Sequence, residues 1–363
     1  MTPAASSWKR FSRKFPARHC WETLLALLLA AFTIACDEQH RSQNAETKPN
    51  RLQTVTINNL EPRRDVAGNI IDAHGGCLQF FAGRFYLYGT AYGTNASSLA
   101  LNCPFRVYSS LDLDRWTYEG ELLKEQPTGV YTRPSVVFNP RTRKYVLWYN
   151  WFPKLWNGRA AAATSDSPAG PFTIANPEVH VPGSRLGDGS LFVDDDGTGY
   201  YIYTSMGDDY AVRVARLTPD FLDSTGETSS ILAKGGEAPV LFRRNNFYYA
   251  LCGPLCPDCP NGSPVQVYAS TSPLGPYAPR SNINRRPENG APIIPAQETW
   301  VTKIPMSGEP VYIWMGDRWE STPDGIKGHD FQFWSAPLTF SPDGDIQPMK
   351  NIGRWDITWT WSN

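Results

Sequence analysis

Charge is scarce in this chain: Asp, Glu, Lys and Arg make up only 19% of its 363 residues and nearly cancel, leaving a formal net charge of −1. Such a surface offers no field for a polyanion, and there is no glycine-rich phosphate loop and no basic patch beyond the N-terminal leader. No nucleic acid or nucleotide partner is therefore expected. Long amphipathic helical periodicity is also missing, which argues against a helical architecture. Long apolar runs are missing too. The most extended, Thr23 to Ala35, is too short for a comfortable membrane span.

That run has another reading. Lys9, Arg10, Arg13, Lys14 and Arg18 precede it, giving the basic and then apolar order of a signal peptide over residues 1–36. It ends at Thr33-Ile34-Ala35-Cys36, which resembles a lipoprotein cleavage site with Cys36 as the acylated residue, although Thr33 stands where such sites usually carry Leu. The expectation is an exported protein, periplasmic, outer-membrane-anchored or extracellular, that touches a membrane only through such a lipid anchor. Residues 37–54 are polar and unpatterned and read as a flexible tether. The folded domain is then expected over residues 55–363, as a monomer.

Of the seven cysteines, Cys20 and Cys36 belong to the leader. Export permits disulfides. Cys77 and Cys103 fall in one structural unit and could pair. Cys252, Cys256 and Cys259 are dense enough to suggest zinc, but a structural site needs four ligands and no fourth Cys or His lies nearby. A local disulfide plus one free thiol is the preferred reading, with no metal.

What the chain does have is aromatic residues, 13% of the total, and an internal repeat. Val107-Tyr108-Ser109-Ser110 followed by a turn returns as Ala162-Ala163-Thr164-Ser165 before Gly170-Pro171-Phe172, and again as Val267-Tyr268-Ala269-Ser270 before Gly275-Pro276-Tyr277. Weaker copies begin at Val214 and Phe333. Five units result, near 69–118, 130–173, 186–228, 235–278 and 297–347. Each is built of short Val-, Tyr-, Phe- and Trp-rich strands bounded by Gly, Pro, Asn and Asp. The fold class is therefore all-β, and five four-stranded units predict a five-bladed β-propeller. A β-sandwich needs no repeat of this length.

In a propeller the innermost strand of each blade lines the axis, and residues at its start face a funnel. Three carboxylates stand there: Asp72 before Ala73-His74-Gly75-Gly76, Asp188 before Gly189-Ser190-Leu191-Phe192, and Glu237 before Ala238-Pro239-Val240. A residue in such a place often only caps a turn. Three in one scheme point instead to acid–base chemistry. Inverting glycoside hydrolysis needs a general acid and a general base about 6.5–9.5 Å apart, and a further carboxylate beside the acid keeps it protonated.

These stretches, with Arg133-Pro134-Ser135-Val136-Val137-Phe138-Asn139, Asp194-Asp195-Asp196-Gly197-Thr198-Gly199-Tyr200 and Val311-Tyr312-Ile313-Trp314-Met315-Gly316-Asp317-Arg318-Trp319, resemble glycoside hydrolase family 43 and, within it, the exo-β-1,3-galactanase branch. The resemblance covers most of residues 66–361. It implies a five-bladed propeller, a single-displacement mechanism, a polysaccharide or oligosaccharide substrate and no required cofactor. By position, Glu237 matches the general acid, Asp188 the carboxylate that tunes it, and Asp72 the place where the wider family keeps its base. Gln297 aligns with a later amide of the galactanase branch. His74, Arg133, Gln297, Arg318 and Trp319 are the expected substrate-binding residues. Some family members hold a cation near the axis, so a structural calcium there, approached by His329 and Asp330, is a further expectation. Asp194-Asp195-Asp196-Gly197 reads as a β-turn. One departure stands out: galactanase-like chains tend to carry Glu before Arg-Pro in the second blade, and here the residue is Thr132. The alternatives on the same fold are an α-L-arabinofuranosidase or β-xylosidase and a non-catalytic glycan-binding propeller.

Overall fold

A computed structural model describes residues 51–256, 259–306 and 308–361. The expected signal peptide, Cys36 and most of the tether lie outside the described residues. The tether's last residues do not stay unpatterned, because β1 (Arg51–Asn58) begins at the boundary and alternates toward buried Val55 and Ile57.

Five sheets follow in chain order. Blade one is β2 (Leu78–Phe81), β3 (Arg84–Thr90), β4 (Phe105–Ser110) and β5 (Thr117–Glu121). Blade two is β6 (Val130–Asn139), β7 (Lys144–Phe152), β8 (Arg159–Ser165) and β9 (Thr173–Asn176). Blade three is β10 (Leu186–Val193), β11 (Gly199–Ser205), β12 (Ala211–Leu217) and β13 (Ser224–Thr228). Blade four is β14 (Gly236–Arg244), β15 (Phe247–Pro254), β16 (Gln266–Ser270) and β17 (Ala278–Asn282). Blade five has three strands, β18 (Gln297–Ile304), β19 (Val311–Arg318) and β20 (Phe331–Trp334). Every pairing within a blade is antiparallel, so each unit is a meander, as the repeat predicts. The helices among the described residues are two short 3₁₀ turns.

The strands are apolar on both faces because each blade packs against two neighbours. One buried cluster joins blades two and three around Trp148, Tyr201, Tyr203 and Phe221, and another joins blades three and four around Ile202, Val214, Leu241 and Ala250. Close interdigitation of such side chains fixes the blades against one another. The Asp194-Asp195-Asp196-Gly197 segment is the β10–β11 turn, with Gly197 at φ +81°. Its Asp194 is buried and reaches across to Arg243 of blade four at 2.7 Å.

Closure uses the chain ends. β1 pairs with β21 (Arg354–Trp361) in a separate two-stranded sheet. The carboxamide of Asn59, 1% exposed, joins that pair to blade five. It donates to the carbonyls of Trp334 (2.9 Å) and Ile352 (3.0 Å) and accepts from the Trp334 amide (2.9 Å). One side chain thus supplies the ladder bonds that a fourth strand would otherwise make. Asn59→Ala should leave the Trp334 N–H and the Ile352 carbonyl buried and unpaired, at a cost of about 1–3 kcal/mol. Chemical denaturation should show a lower midpoint, and an unchanged midpoint would mean that closure does not depend on this clamp.

Candidate active site

The inner strands β6, β10, β14 and β18 share one irregularity. Each loses register near its start, between Thr132 and Ser135, Leu186 and Gly189, Glu237 and Val240, and Glu298 and Trp300. These are β-bulges, which re-aim side chains that regular pleating would send into the blade. Two of them place a non-glycine residue in the left-handed region, Arg133 at φ +54° and Ala238 at φ +52°. In both the next residue is proline, so the break in the ladder falls where the backbone has no N–H to offer. In blade one the approach is made by glycine. A Cβ on Gly76 would lie 1.9 Å from the Tyr88 carbonyl oxygen, and one on Gly89 would lie 2.0 Å from Ala73 C. Only glycines let the His74–Cys77 segment run this close to β3.

The bulged ends surround a cavity of about 500 Å³, lined by Tyr92, Thr132, Arg133, Asp188, Glu237, Gln297 and Trp319 and, toward its rim, by Leu99, Phe152, Trp156, Met206, Tyr210 and Leu255. Below it the axis narrows to about 10 Å³ between Gly76, Ser135, Ser190 and Pro239.

At the cavity floor Arg133 is buried. It donates to Asp188 Oδ2 at 2.8 Å and to the Glu298 carbonyl at 2.9 Å. The Ala238 amide, one residue after Glu237, also donates to Asp188 Oδ2, at 3.1 Å. Glu237 therefore stands directly beside a fixed negative charge. Its Oε1 accepts from Gln297 Nε2 at 2.7 Å and from the Cys256 amide at 3.3 Å. Its Oε2 accepts nothing from the described residues. Burial and then the Asp188 charge raise the Glu237 carboxyl to about 7, against opposing pulls from Arg133, Gln297 and the Cys256 amide. Below about 7 the group holds its proton, and Oε2 is the oxygen left to carry it. Gln297 is held in turn by Trp319, whose Nε1 donates to its Oε1 at 2.9 Å.

A carboxyl group beside a fixed carboxylate, lining a cavity at a propeller axis, is what the sequence stretches anticipate; comparison with known proteins bears on the family. The profile for glycosyl hydrolases family 43 matches residues 92–301. The chain belongs to family 43 of the glycosyl hydrolases. Among family 43 structures, an exo-β-1,3-galactanase from Clostridium thermocellum is 28% identical, with a TM-score of 0.71 over 82% of this chain and 66% of that one. A β-1,3-galactosidase bound to galactodeoxynojirimycin is 26% identical, with a TM-score of 0.70 over 82% of this chain and 99% of that one. Among curated proteins, an arabinoxylan arabinofuranohydrolase of Bacillus subtilis (strain 168) is 28% identical over 277 residues, 60% of this chain and 52% of that protein. The chain spans about half the length of that curated relative.

Within this family 43 propeller, the cavity unites five of the eight expected site residues: Asp188, Glu237, Arg133, Gln297 and Trp319. Three stand elsewhere. Asp72, expected as the base, is turned away: its Oδ1 accepts the Tyr92 amide at 2.8 Å and its Oδ2 the Gly93 amide at 2.7 Å. His74 Nε2 and Arg106 also approach the carboxylate, each at 3.6 Å, and the residue is outside the cavity lining. His74 is fully buried one layer below, bonded through Nδ1 to Asp317 Oδ1 at 3.2 Å and packed against Tyr92 and Trp319. Burial opposes its charge, but Asp317, Asp72 and Asp330 outweigh this and raise it. Arg318 points away, over the Phe331 ring and toward the Asn59 carbonyl at 3.4 Å.

The side chains near the axis are engaged with one another and with backbone. Calcium wants six to eight oxygen ligands, yet Asp188 is committed to a guanidinium, Ser190 Oγ donates to the Pro239 carbonyl and Ser135 Oγ accepts the Leu191 amide. His329 pairs with Asp324 at 2.7 Å, and Asp330 caps the amides of Glu320 and Ser321. These residues do not fit an axial calcium. Cys77 and Cys103 are both free and buried rather than paired, while Cys256 and Cys259 form the local disulfide and leave Cys252 free.

Sequence reasoning passed over Tyr92, the rim residues Leu99, Phe152, Met206, Tyr210 and Leu255, and the contact of Cys256 with Glu237. The last was within reach, because the Cys256 loop follows β15, the strand paired with β14, whose second residue is Glu237.

Two pH effects follow. Activity should fall as pH rises through about 7, where Glu237 loses its proton, and Asp188→Asn should move that limb to lower pH by removing a charge that favours the protonated form. A pH–rate profile checks both, and an unmoved limb would detach Asp188 from the acid. Glu298 is fully buried, bonded only to Trp314 Nε1 at 3.0 Å, and burial raises it to about 8. From its unperturbed 4.5 up to 8 the folded state holds a proton that the unfolded state releases, so stability falls as pH rises across that window. Glu298→Gln should flatten this decline in denaturation midpoints measured between pH 5 and 8, as estimated from those two values.

Proposed function

We propose that the protein is an inverting glycosidase that removes terminal sugars from a polysaccharide or oligosaccharide, with β-1,3-linked galactose as the preferred residue. The observation that carries this is Glu237: a cavity-lining carboxyl raised to about 7 by burial and Asp188, with Oε1 bonded and Oε2 accepting nothing from the described residues. It would protonate the glycosidic oxygen as the bond breaks. Asp188 would keep the proton on Glu237 while itself anchored by Arg133. The attacking water would be oriented among the cavity's polar groups Asp188, Gln297 and Arg133, and the proton it sheds as the new C–O bond forms would pass to Asp188, whose Oδ1 accepts nothing from the described residues, whereas Asp72 stands outside the lining. The preference for galactose draws support from the likeness to β-1,3-galactosidase and exo-β-1,3-galactanase structures at 26–28% identity.

One observation favours a different sugar. Thr132 lines the cavity where a carboxylate is expected in galactanase-like chains, and its Oγ1 is buried without a partner. A galactose hydroxyl would lose a charged acceptor there, worth about 1.5–3 kcal/mol. This, with the arabinofuranohydrolase relatives, supports a pentose such as arabinose or xylose as the second reading.

Incubation with β-1,3-galactan and a panel of aryl glycosides, beside the Glu237→Gln variant, tests the proposal. Galactose release that drops by about 10²–10⁴-fold in the variant is the expected result. The drop should shrink for aryl leaving groups acidic enough to depart unprotonated. Arabinose or xylose release keeps the acid and changes the substrate, and binding without any release of sugar would overturn the enzymatic reading.

A further inference from the structure

Two sulfurs meet the acid. Cys256 Sγ lies 3.1 Å and Cys259 Sγ 3.4 Å from Glu237 Oε1. Joined as a disulfide, they have no proton to give that oxygen. One donor atom from each of Glu237, Cys256 and Cys259 lies within 4.8 Å of the others, and among the described residues this is where side chains able to hold a metal converge. The group is also firmly set. Cys259 is 2% exposed and packs in a small cluster with Tyr92, Cys103 and Trp319, while Gln297 fixes Glu237 from the opposite side.

We propose that Cys256, Cys259 and Glu237 form, once the disulfide is reduced, a three-ligand site for a thiophilic divalent cation of the zinc class, with the fourth position open to the cavity. Zinc accepts two thiolates at about 2.3 Å and a carboxylate oxygen at about 2.0–2.2 Å in a tetrahedron, and two residues between the cysteines is a common spacing for such pairs. Two sulfurs bound to one ion stand much further apart than a disulfide allows, so disulfide and metal exclude each other. Soft thiolate ligands select against calcium and magnesium. A phosphine reductant supplies the two electrons: one phosphine and one water become phosphine oxide, and the disulfide becomes two thiols. The incoming metal displaces their two protons. Occupancy ties up the carboxylate that would protonate the glycosidic bond. The oxidised pair would thus be the working state and the reduced, metal-loaded pair the blocked one. This consequence rests on the proposed role of Glu237, whereas the binding rests on the geometry alone.

The test is a cobalt titration of the purified protein before and after treatment with a water-soluble phosphine. The reduced protein should take up one equivalent of Co²⁺ with a thiolate-to-metal charge-transfer band, which zinc then bleaches. The untreated protein and the Cys256→Ser/Cys259→Ser double variant should show no band. Glu237→Gln, which keeps both thiols and guards against a folding defect in the double variant, should keep the band but bind more weakly. Zinc at one equivalent should abolish sugar release by the reduced protein and spare the oxidised one. Absence of the band once the two thiols are titratable, or a disulfide that survives the phosphine in the folded protein, would overturn the site. Because the cobalt band is read without substrate, failure of the glycosidase reading and failure of the metal site remain distinguishable.

Discussion

The buried guanidinium of Arg133 is the interaction on which the site depends. It belongs to blade two, grips Asp188 of blade three and the Glu298 carbonyl of blade five, and through Asp188 reaches the Ala238 amide of blade four. Four of the five inner strands are therefore tied at one point on the axis. A buried ion pair gains little against an apolar alternative of the same volume, because both charges lose their water. Its effect here is positional: Arg133 is buried while Asp188 keeps one side to the cavity, and breaking the pair would strand the Arg133 charge beneath it, so the strands are held to one register about the axis.

The same pair sets the acid. Asp188 pushes protons onto Glu237, and Arg133 pulls them off. Burial is the largest influence and decides the outcome, so the proton affinity of Glu237 is a property of the funnel's depth as much as of its neighbours. Cysteine enters the balance by the same route, since the Cys256 loop both covers Glu237 and gives its amide to Oε1.

The fold was legible because its signal is repeated. Five copies of one aromatic-rich unit, most ending in Pro or Gly turns, leave few architectures open, and the blades match the repeat boundaries closely. The site was legible only in part. Glu237 and Asp188 stand at the starts of inner strands and do face the cavity. Asp72 also precedes an inner strand in the sequence but does not. Its segment carries the same one-residue shift, between the His74–Thr90 and Cys77–Tyr88 pairs with Gly75 at φ +63°, but the residue at the register of Glu237 is His74; Asp72 lies two residues earlier, where its carboxylate finds two backbone amides. Spacing along a strand identifies which residues can reach an axis, whereas the local backbone decides which do. The Arg133-Pro134 and Ala238-Pro239 pairs were the available clue, since a proline inside a central strand implies a bulge. Arg318 illustrates the reverse error: it neighbours Trp319 in sequence, but the two side chains leave the end of β19 in opposite directions.

Thr132 shows how little need change to move such a site. It lies immediately before the bulge at Arg133, on the cavity wall. A carboxylate there would compete with Asp188 for the same guanidinium and add a second negative charge to the funnel. Both effects would favour the protonated form of Glu237 while offering a charged acceptor to a sugar hydroxyl. With threonine, Asp188 keeps Arg133 to itself, and the hydroxyl of Thr132 is left for the substrate to satisfy. Sugar preference and acid strength are therefore coupled at this position, because both draw on the single positive charge at the floor of the cavity.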